Sequence, residues 1–202
     1  MVHAIARRPI DAGVVAHSVD VTDADATQRE IDAIGGADGV DLLIFCVGQQ
    51  IPARKLTELT PQTWEALVGA NLTSAFNVLS AALPYLRRQS SDVLLVSSIS
   101  AQWPDQSGPA YQAAKAGLLA LSRAAGFETL GEDVRFTCVL PGLVDTPLLS
   151  QRPQPVSDED RRRALRPEDI ANVCAFVAAQ PRHVLIPEIT VLPTALQRVG
   201  RS

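Results

Sequence analysis

The amino-acid sequence predicts an α/β fold, a doubly wound and mostly parallel sheet with helices on both faces. Short apolar runs alternate with longer segments of helical period along the 202 residues, the pattern of strand–helix–strand units. Several runs are apolar on successive residues instead of alternate ones, as strands covered on both faces require. The length suits one domain with a full hydrophobic core, so residues 1–202 read as a single unit.

The elements follow in order. Val2–Ala6, Val14–Val21, Asp41–Gly48, Asp92–Ser98, Val134–Leu140 and Glu188–Pro193 are the strand candidates. Thr22 with Asp25 reads as a capping pair ahead of a first helix. Thr60 followed by Pro61 opens a long helix to about Arg88, with Pro84 kinking it or tightening its last turn. Pro109 to about Leu130 forms another. Pro167, Glu168 and Asp169 begin a third, with acidic groups at its positive end. The Thr146–Arg166 segment is rich in proline and charge. It reads either as a solvated helical face, with Asp158–Asp160 pairing to Arg161–Arg163 across a turn, or as a flap over a substrate.

Composition narrows the function. A net charge of -4 gives no electrostatic case for nucleic acid or an anionic membrane, and no apolar run approaches the ~20 residues of a membrane span. Cys46, Cys138 and Cys174 are scattered without a CxxC and read as small buried hydrophobes in a reducing compartment. His3, His17 and His183 stand alone, so no metal site is expected. Default placement is the cytoplasm.

The chemistry centres on "YQAAK". Tyr111 and Lys115 are four residues apart, on one helix face with Cβ atoms about 6 Å apart. A nearby ammonium favours phenolate and lowers a tyrosine pKa by about 1–3 units, toward the range useful for proton transfer. Alone, the spacing is a weak signal, and the pair reads as an ordinary surface tyrosine and solvated lysine. Ser98 ends an apolar strand, where parallel sheets place their ligands. Asn71 sits mid-helix, where asparagine is a poor helix former. "PGLVDTP", Pro141–Pro147, follows another strand.

Together, "DVT" from Asp20, "FCVG" from Phe45, "NLTSAFN" from Asn71, "VSSIS" with Ser98, "YQAAK" and "PGLVDTP" resemble the short-chain dehydrogenase/reductase family over essentially the whole chain. The resemblance implies a Rossmann-like fold and hydride transfer between a nicotinamide cofactor and a carbonyl or secondary alcohol. In it Tyr111 is the acid/base, Ser98 orients the substrate oxygen, and Lys115 lowers the Tyr111 pKa and binds the nicotinamide ribose. Asn71 holds a water in a relay to Lys115. Asp20 and Val21 flank the adenine. Val47, Gly48, Pro141 and Gly142 line the cofactor cleft, and Val144 and Thr146 contact its carboxamide and phosphates. An acid after the second strand of such folds binds the 2′-hydroxyl, whereas arginine accommodates a 2′-phosphate. Arg7 and Arg8 occupy that place, which favours NADP(H) over NAD(H). Family members pair through the helices at about 61–88 and 109–130, so a homodimer or homotetramer is expected.

The sequence also departs from the family. The glycine-rich T-G-x-x-x-G-x-G turn is absent. Gly35, Gly36 and Gly39 read as a helix-ending connector. Met1 aligns near the family's second strand, so the first strand and helix are missing by this reading, and with them the pyrophosphate site. Phe45–Val47 stands where Asn-Asn-Ala is usual, and Ala114 where serine is common. Only about eight residues join the first two strand candidates, short of the dozen a parallel crossover normally uses. Three readings follow. The sequence starts downstream of the natural start of a normal reductase. Or Val2–Ala6 moves in beside Asp41–Cys46 in a non-catalytic binding or assembly subunit that no longer binds dinucleotide. Or Ser98, Tyr111 and Lys115 serve a proton transfer without nicotinamide.

Overall fold

The structure is a computed structural model and describes residues 1–8, 13–36 and 39–196. Its strands fall into two parallel sheets. Strand β1 (His3–Ala6) pairs with β2 (Val15–Ser18), His3 opposite Val15. The other four, β3 (Leu42–Phe45), β4 (Ser91–Val96), β5 (Val134–Pro141) and β6 (Glu188–Val191), lie side by side in chain order. The short connection after β1 still yields a parallel pair; residues 9–12 of it lie outside the described residues.

Strand β1 does not move in beside β3, so that expectation fails: its hydrogen bonds go to β2 alone. Yet Ile5 of β1 and Leu43 and Phe45 of β3 pack into one core cluster. The two sheets thus flank a shared core with no ladder between them, where the family resemblance places a central strand. On the same strand Leu42 and Ile44 are 43% and 45% exposed, so β3 is not covered on both faces as its apolar run suggests.

Two helical layers sandwich the sheets. On one face, α1 (Ala24–Gly35), α3 (Ser74–Leu86) and α4 (Pro109–Glu128) contribute Ile31, Val78, Leu86 and Leu118 to a cluster with Val93, Leu95 and Phe136. On the other, α6 (Pro167–Ala178) packs Ile170, Cys174 and Val177 on Leu94 and Val139. Each fully buried leucine or valine is worth about 1.5–3 kcal/mol. Strand β4 therefore feeds both layers through alternate side chains, the doubly wound arrangement.

Local chemistry adjusts the expected boundaries. Asp23, not Thr22, caps α1, accepting from the Ala26 amide at 2.9 Å, while Thr22 is held by Asp20 Oδ1. The long helix divides: α2 (Pro61–Val68) opens with Thr60 and Thr63 bonded reciprocally, and a π turn over Gly69–Thr73 separates it from α3. Pro84 lies in the last turn of α3. By length and apolar composition Pro61–Leu86 could span a membrane, contrary to expectation; here Ala75, Val78, Leu79, Ala82 and Leu86 bury that apolar surface in the protein core. Gly35 ends α1 against the Tyr85 ring, where a Cβ would lie 2.5 Å from Cγ.

Candidate active site

One cavity of about 1820 Å³ opens at the C-terminal ends of β3, β4 and β5, where open parallel sheets bind ligands. Ser98, Tyr111 and Lys115 line it, with Val47, Gly48, Pro141, Gly142, Val144 and Thr146. Arg7 and Arg8 and the exposed Leu42 and Ile44 also line it. Asp20 and Val21 lie outside its lining: Asp20 ties the turn before α1, and Val21 is buried in the core with its carbonyl accepting from Asn77. Trp103 is exposed and also outside. The 146–166 segment supplies one wall, through the 3₁₀ turn Pro147–Gln151 and the loop to Asp160. Its short helix α5 (Asp158–Arg163) holds the pairing Glu159–Arg163 at 2.6 Å. Cys46 is exposed on the cavity, whereas Cys138 and Cys174 are buried as expected.

Asn71 is fully buried at the π turn, beside the loop after β3. Its side chain takes the Gln49 amide (3.1 Å) and donates to the Gln49 carbonyl (2.9 Å) and the Leu67 carbonyl (2.9 Å). The extra residue in the helix frees Asn71 to grip the strand-end loop, a use π turns often have at sites. A Cβ on Gly48 would lie 3.8 Å from both Asn71 Oδ1 and Lys115 Nζ, so asparagine and lysine meet across that glycine.

Tyr111 and Lys115 share one face of α4, which starts at Pro109 after Gly108 at φ +85°. Only glycine suits position 108: the backbone is left-handed, and a Cβ would sit 2.3 Å from the Arg54 carbonyl. The electrostatics differ from the sequence expectation. Burial pushes the Tyr111 phenol up to about 12; Ser98 and the guanidinium groups of Arg54 and Arg152 pull it down, and Asp105 pushes it further up. Lys115 is not among the groups that pull it down. Its ammonium points instead to the Val47 and Val96 carbonyls, 3.3 Å each, and stands 5.7 Å from the centre of the Tyr111 ring. Burial drives the lysine itself down to about 8. Both groups are stripped of water by the same packed helix face, and desolvation disfavours charge on each.

Behind Ser98 lies a network the sequence did not signal. Ser98 Oγ donates to Ser100 Oγ (3.0 Å), which donates to Asp105 Oδ2 (2.5 Å); the Ser100 amide returns to Ser98 Oγ (3.1 Å). Asp105 Oδ1 also accepts the Ser107 amide, and Gln50 donates to the Ser107 carbonyl. Serines and an aspartate in a loop carry no periodicity; only their spacing from Ser98 could have drawn notice. Among the described residues no cluster of His, Cys, Asp or Glu could hold a metal.

The chain has recognisable relatives in sequence and in fold. A family model described as enoyl-(acyl carrier protein) reductase matches residues 2–186. An uncharacterized oxidoreductase of Staphylococcus epidermidis is 30% identical over 155 residues, 76% of this chain, and the match spans 65% of that relative's length. An alcohol dehydrogenase of the archaeon Thermococcus sibiricus, solved with 5-hydroxy-NADP, shares the fold at a TM-score of 0.80 and 24% identity, over 91% of this chain and 76% of that one. Carveol dehydrogenase of Mycobacterium avium, solved with NAD, does so at 0.81 and 23%, over 92% and 76%. Matched along nearly its whole length and built on the fold of these dehydrogenases, the chain belongs to the short-chain dehydrogenase/reductase family.

Proposed function

We propose that this oxidoreductase is NADP(H)-dependent and interconverts a small carbonyl compound and the corresponding secondary alcohol. The observation that carries the reading is the convergence of Ser98, Tyr111 and Lys115 on one cavity that Arg7 and Arg8 also line. The volume exceeds the roughly 300–1,000 Å³ of an ordinary ligand pocket, which suits a dinucleotide beside a substrate. At Gly48 the cavity lining is bare backbone beside Asn71 and Lys115. The residues suit the nicotinamide end; the glycine-rich T-G-x-x-x-G-x-G pattern for the pyrophosphate is absent from the sequence. The bound cofactor supplies or accepts the hydride.

The chain's residues then have these tasks. Ser98, held by the Ser100 amide, orients the substrate oxygen. Tyr111 is protonated at neutral pH, with its pKa near 12, and so acts first as the acid that protonates a carbonyl oxygen during reduction. Lys115 is mainly an ammonium at neutral pH and is assigned to the nicotinamide ribose by family resemblance. Asn71 fixes Gln49 and, through it, the floor under both. Asp20 and Val21 are assigned to the adenine side and Val144 and Thr146 to the carboxamide and phosphate side by family resemblance. The arginines at positions 7 and 8 are assigned to the 2′-phosphate on the same ground.

Three free cysteines suit a reducing cytoplasm. Exposed Trp64 and Phe76 on α2 and α3, and Phe127 on α4, suit pairing of copies as a homodimer or homotetramer. Calorimetric titration with NADPH and NADH tests the cofactor assignment. Tighter NADPH binding that Arg7→Ala/Arg8→Ala abolishes supports it; equal affinity for both nucleotides contradicts it.

A further inference from the structure

The substrate end of the cavity holds a charge arrangement that the hydride chemistry leaves unexplained. Arg54 is 8% exposed, and arginine is almost never so buried without an anionic partner. It has none: among the described residues no carboxylate lies within ion-pair distance of Arg54 or of Arg152, which lines the same cavity. Arg54 Nε donates to the Ile51 carbonyl (3.0 Å) and Nη2 to the Gln151 carbonyl (3.1 Å). Those bonds pin its fork between the loop after β3 and the segment that carries Arg152. Nη1 has no protein acceptor among these bonds, yet no buried side-chain nitrogen is left without a partner, so Nη1 opens on the cavity.

The two guanidinium groups reinforce each other. Burial, then the charge of Arg152, hold the Arg54 pKa below its ordinary value. The fields of both reach Tyr111 and favour its phenolate. With Lys115 held apart by the Val47 and Val96 carbonyls, the charges facing the two guanidinium groups leave one positive site unfilled. Glu58 is occupied by Lys55 and by the amides of residues 54 and 55. Asp160 is occupied within the flap by Ser157. Asp105 stands near Arg54 and offsets one of the two cations. A monoanion matches that balance better than a dianionic phosphate.

We propose that Arg54 and Arg152 form a carboxylate-binding subsite beside Tyr111, so that the substrates are hydroxy acids and the matching oxo acids. This rests on the reading of the cavity as a carbonyl/alcohol site. The planar fork of Arg54 suits a carboxylate bound through two oxygens. Arg152, which lines the same cavity from the 146–166 segment, supplies the second positive charge.

The test is calorimetric titration of the chain, with saturating NADP⁺, by short 3- and 4-hydroxy acids and by their methyl esters. Turnover of each is followed in parallel. The acids are expected to bind at least tenfold more tightly than the esters. Arg152→Ala is expected to erase most of that ratio, and Arg152→Lys to restore part of it. Arg54→Lys keeps the charge but not the fork and is expected to weaken acid binding while ester binding holds. Equal affinity for acids and esters, or a ratio that Arg152→Ala leaves unchanged, overturns the subsite. If esters and neutral ketones turn over while acids gain nothing, the oxidoreductase stands and the subsite falls. If acids bind as expected but nothing turns over with either nucleotide, the subsite stands and the proposed reaction falls.

Discussion

Replacing Lys115 with methionine should make the protein more stable at neutral pH, although the lysine is assigned to the active site. Its ammonium is buried on α4, and burial lowers its pKa from 10.5 to about 8. At about 1.4 kcal/mol per pKa unit, holding that charge costs about 3 kcal/mol below pH 8. Methionine has similar length and no charge. It forfeits two long hydrogen bonds, from Nζ to the Val47 and Val96 carbonyls at 3.3 Å, worth together about 1 kcal/mol. The variant should therefore gain about 2 kcal/mol at pH 7. The sign depends on pH. Between the folded value of about 8 and the unfolded value of 10.5, the unfolded chain binds more protons, so wild-type stability rises with pH. The variant's advantage should shrink across that window and reverse above it, to a deficit of about 1 kcal/mol from the two lost hydrogen bonds. Urea unfolding of both proteins at several pH values measures this. A variant less stable at neutral pH, or a stability difference that stays constant through the window, refutes the reasoning.

Other consequences are as specific. Asp105→Asn removes a charge that pushes the Tyr111 phenol up, so its pKa should fall from about 12; ultraviolet titration in a Tyr85→Phe background reads it alone, since the chain has only 2 tyrosines. Asn71→Ala strips the loop after β3 of the hydrogen bonds that hold Gln49 and should destabilise by about 2–3 kcal/mol, measured by denaturant melts. Gly108→Ala forces a Cβ into the Arg54 carbonyl at φ +85° and should cost about 1–3 kcal/mol; an unchanged melting temperature counts against the close packing of that turn.

The fold was legible because its signals are strong and repeated. The apolar runs of β4 and β5 are long enough to need cover on both sides, and the proline starts of α2, α4 and α6 fix helix openings. Where the reading slipped, local competition decided. Asp23 out-competed Thr22 as a cap because Thr22 is already bound by Asp20. The helix around Asn71 takes a π turn because that side chain serves another loop. The position of β1 relative to β3 depends on long-range packing of Ile5, which no local pattern encodes.

The site was legible in part. The spacing of Tyr111 and Lys115 placed both on one helix face, and Ser98 and "PGLVDTP" came to the same cavity. The expected acidification of Tyr111 by Lys115 did not follow from that spacing. Four residues on a helix fix the direction of two Cβ atoms, not where a flexible ammonium ends, and here two backbone carbonyls hold it. Arg54, Arg152 and Asp105 went unread because loop residues meet only through tertiary structure.

Carbonyl-dependent oxidation of NADPH, followed with and without Tyr111→Phe, tests the central claim most directly. A Tyr111 that protonates the substrate oxygen predicts that the variant keeps NADPH affinity and loses turnover by about a hundredfold or more. Turnover that survives the loss of the phenol hydroxyl contradicts it.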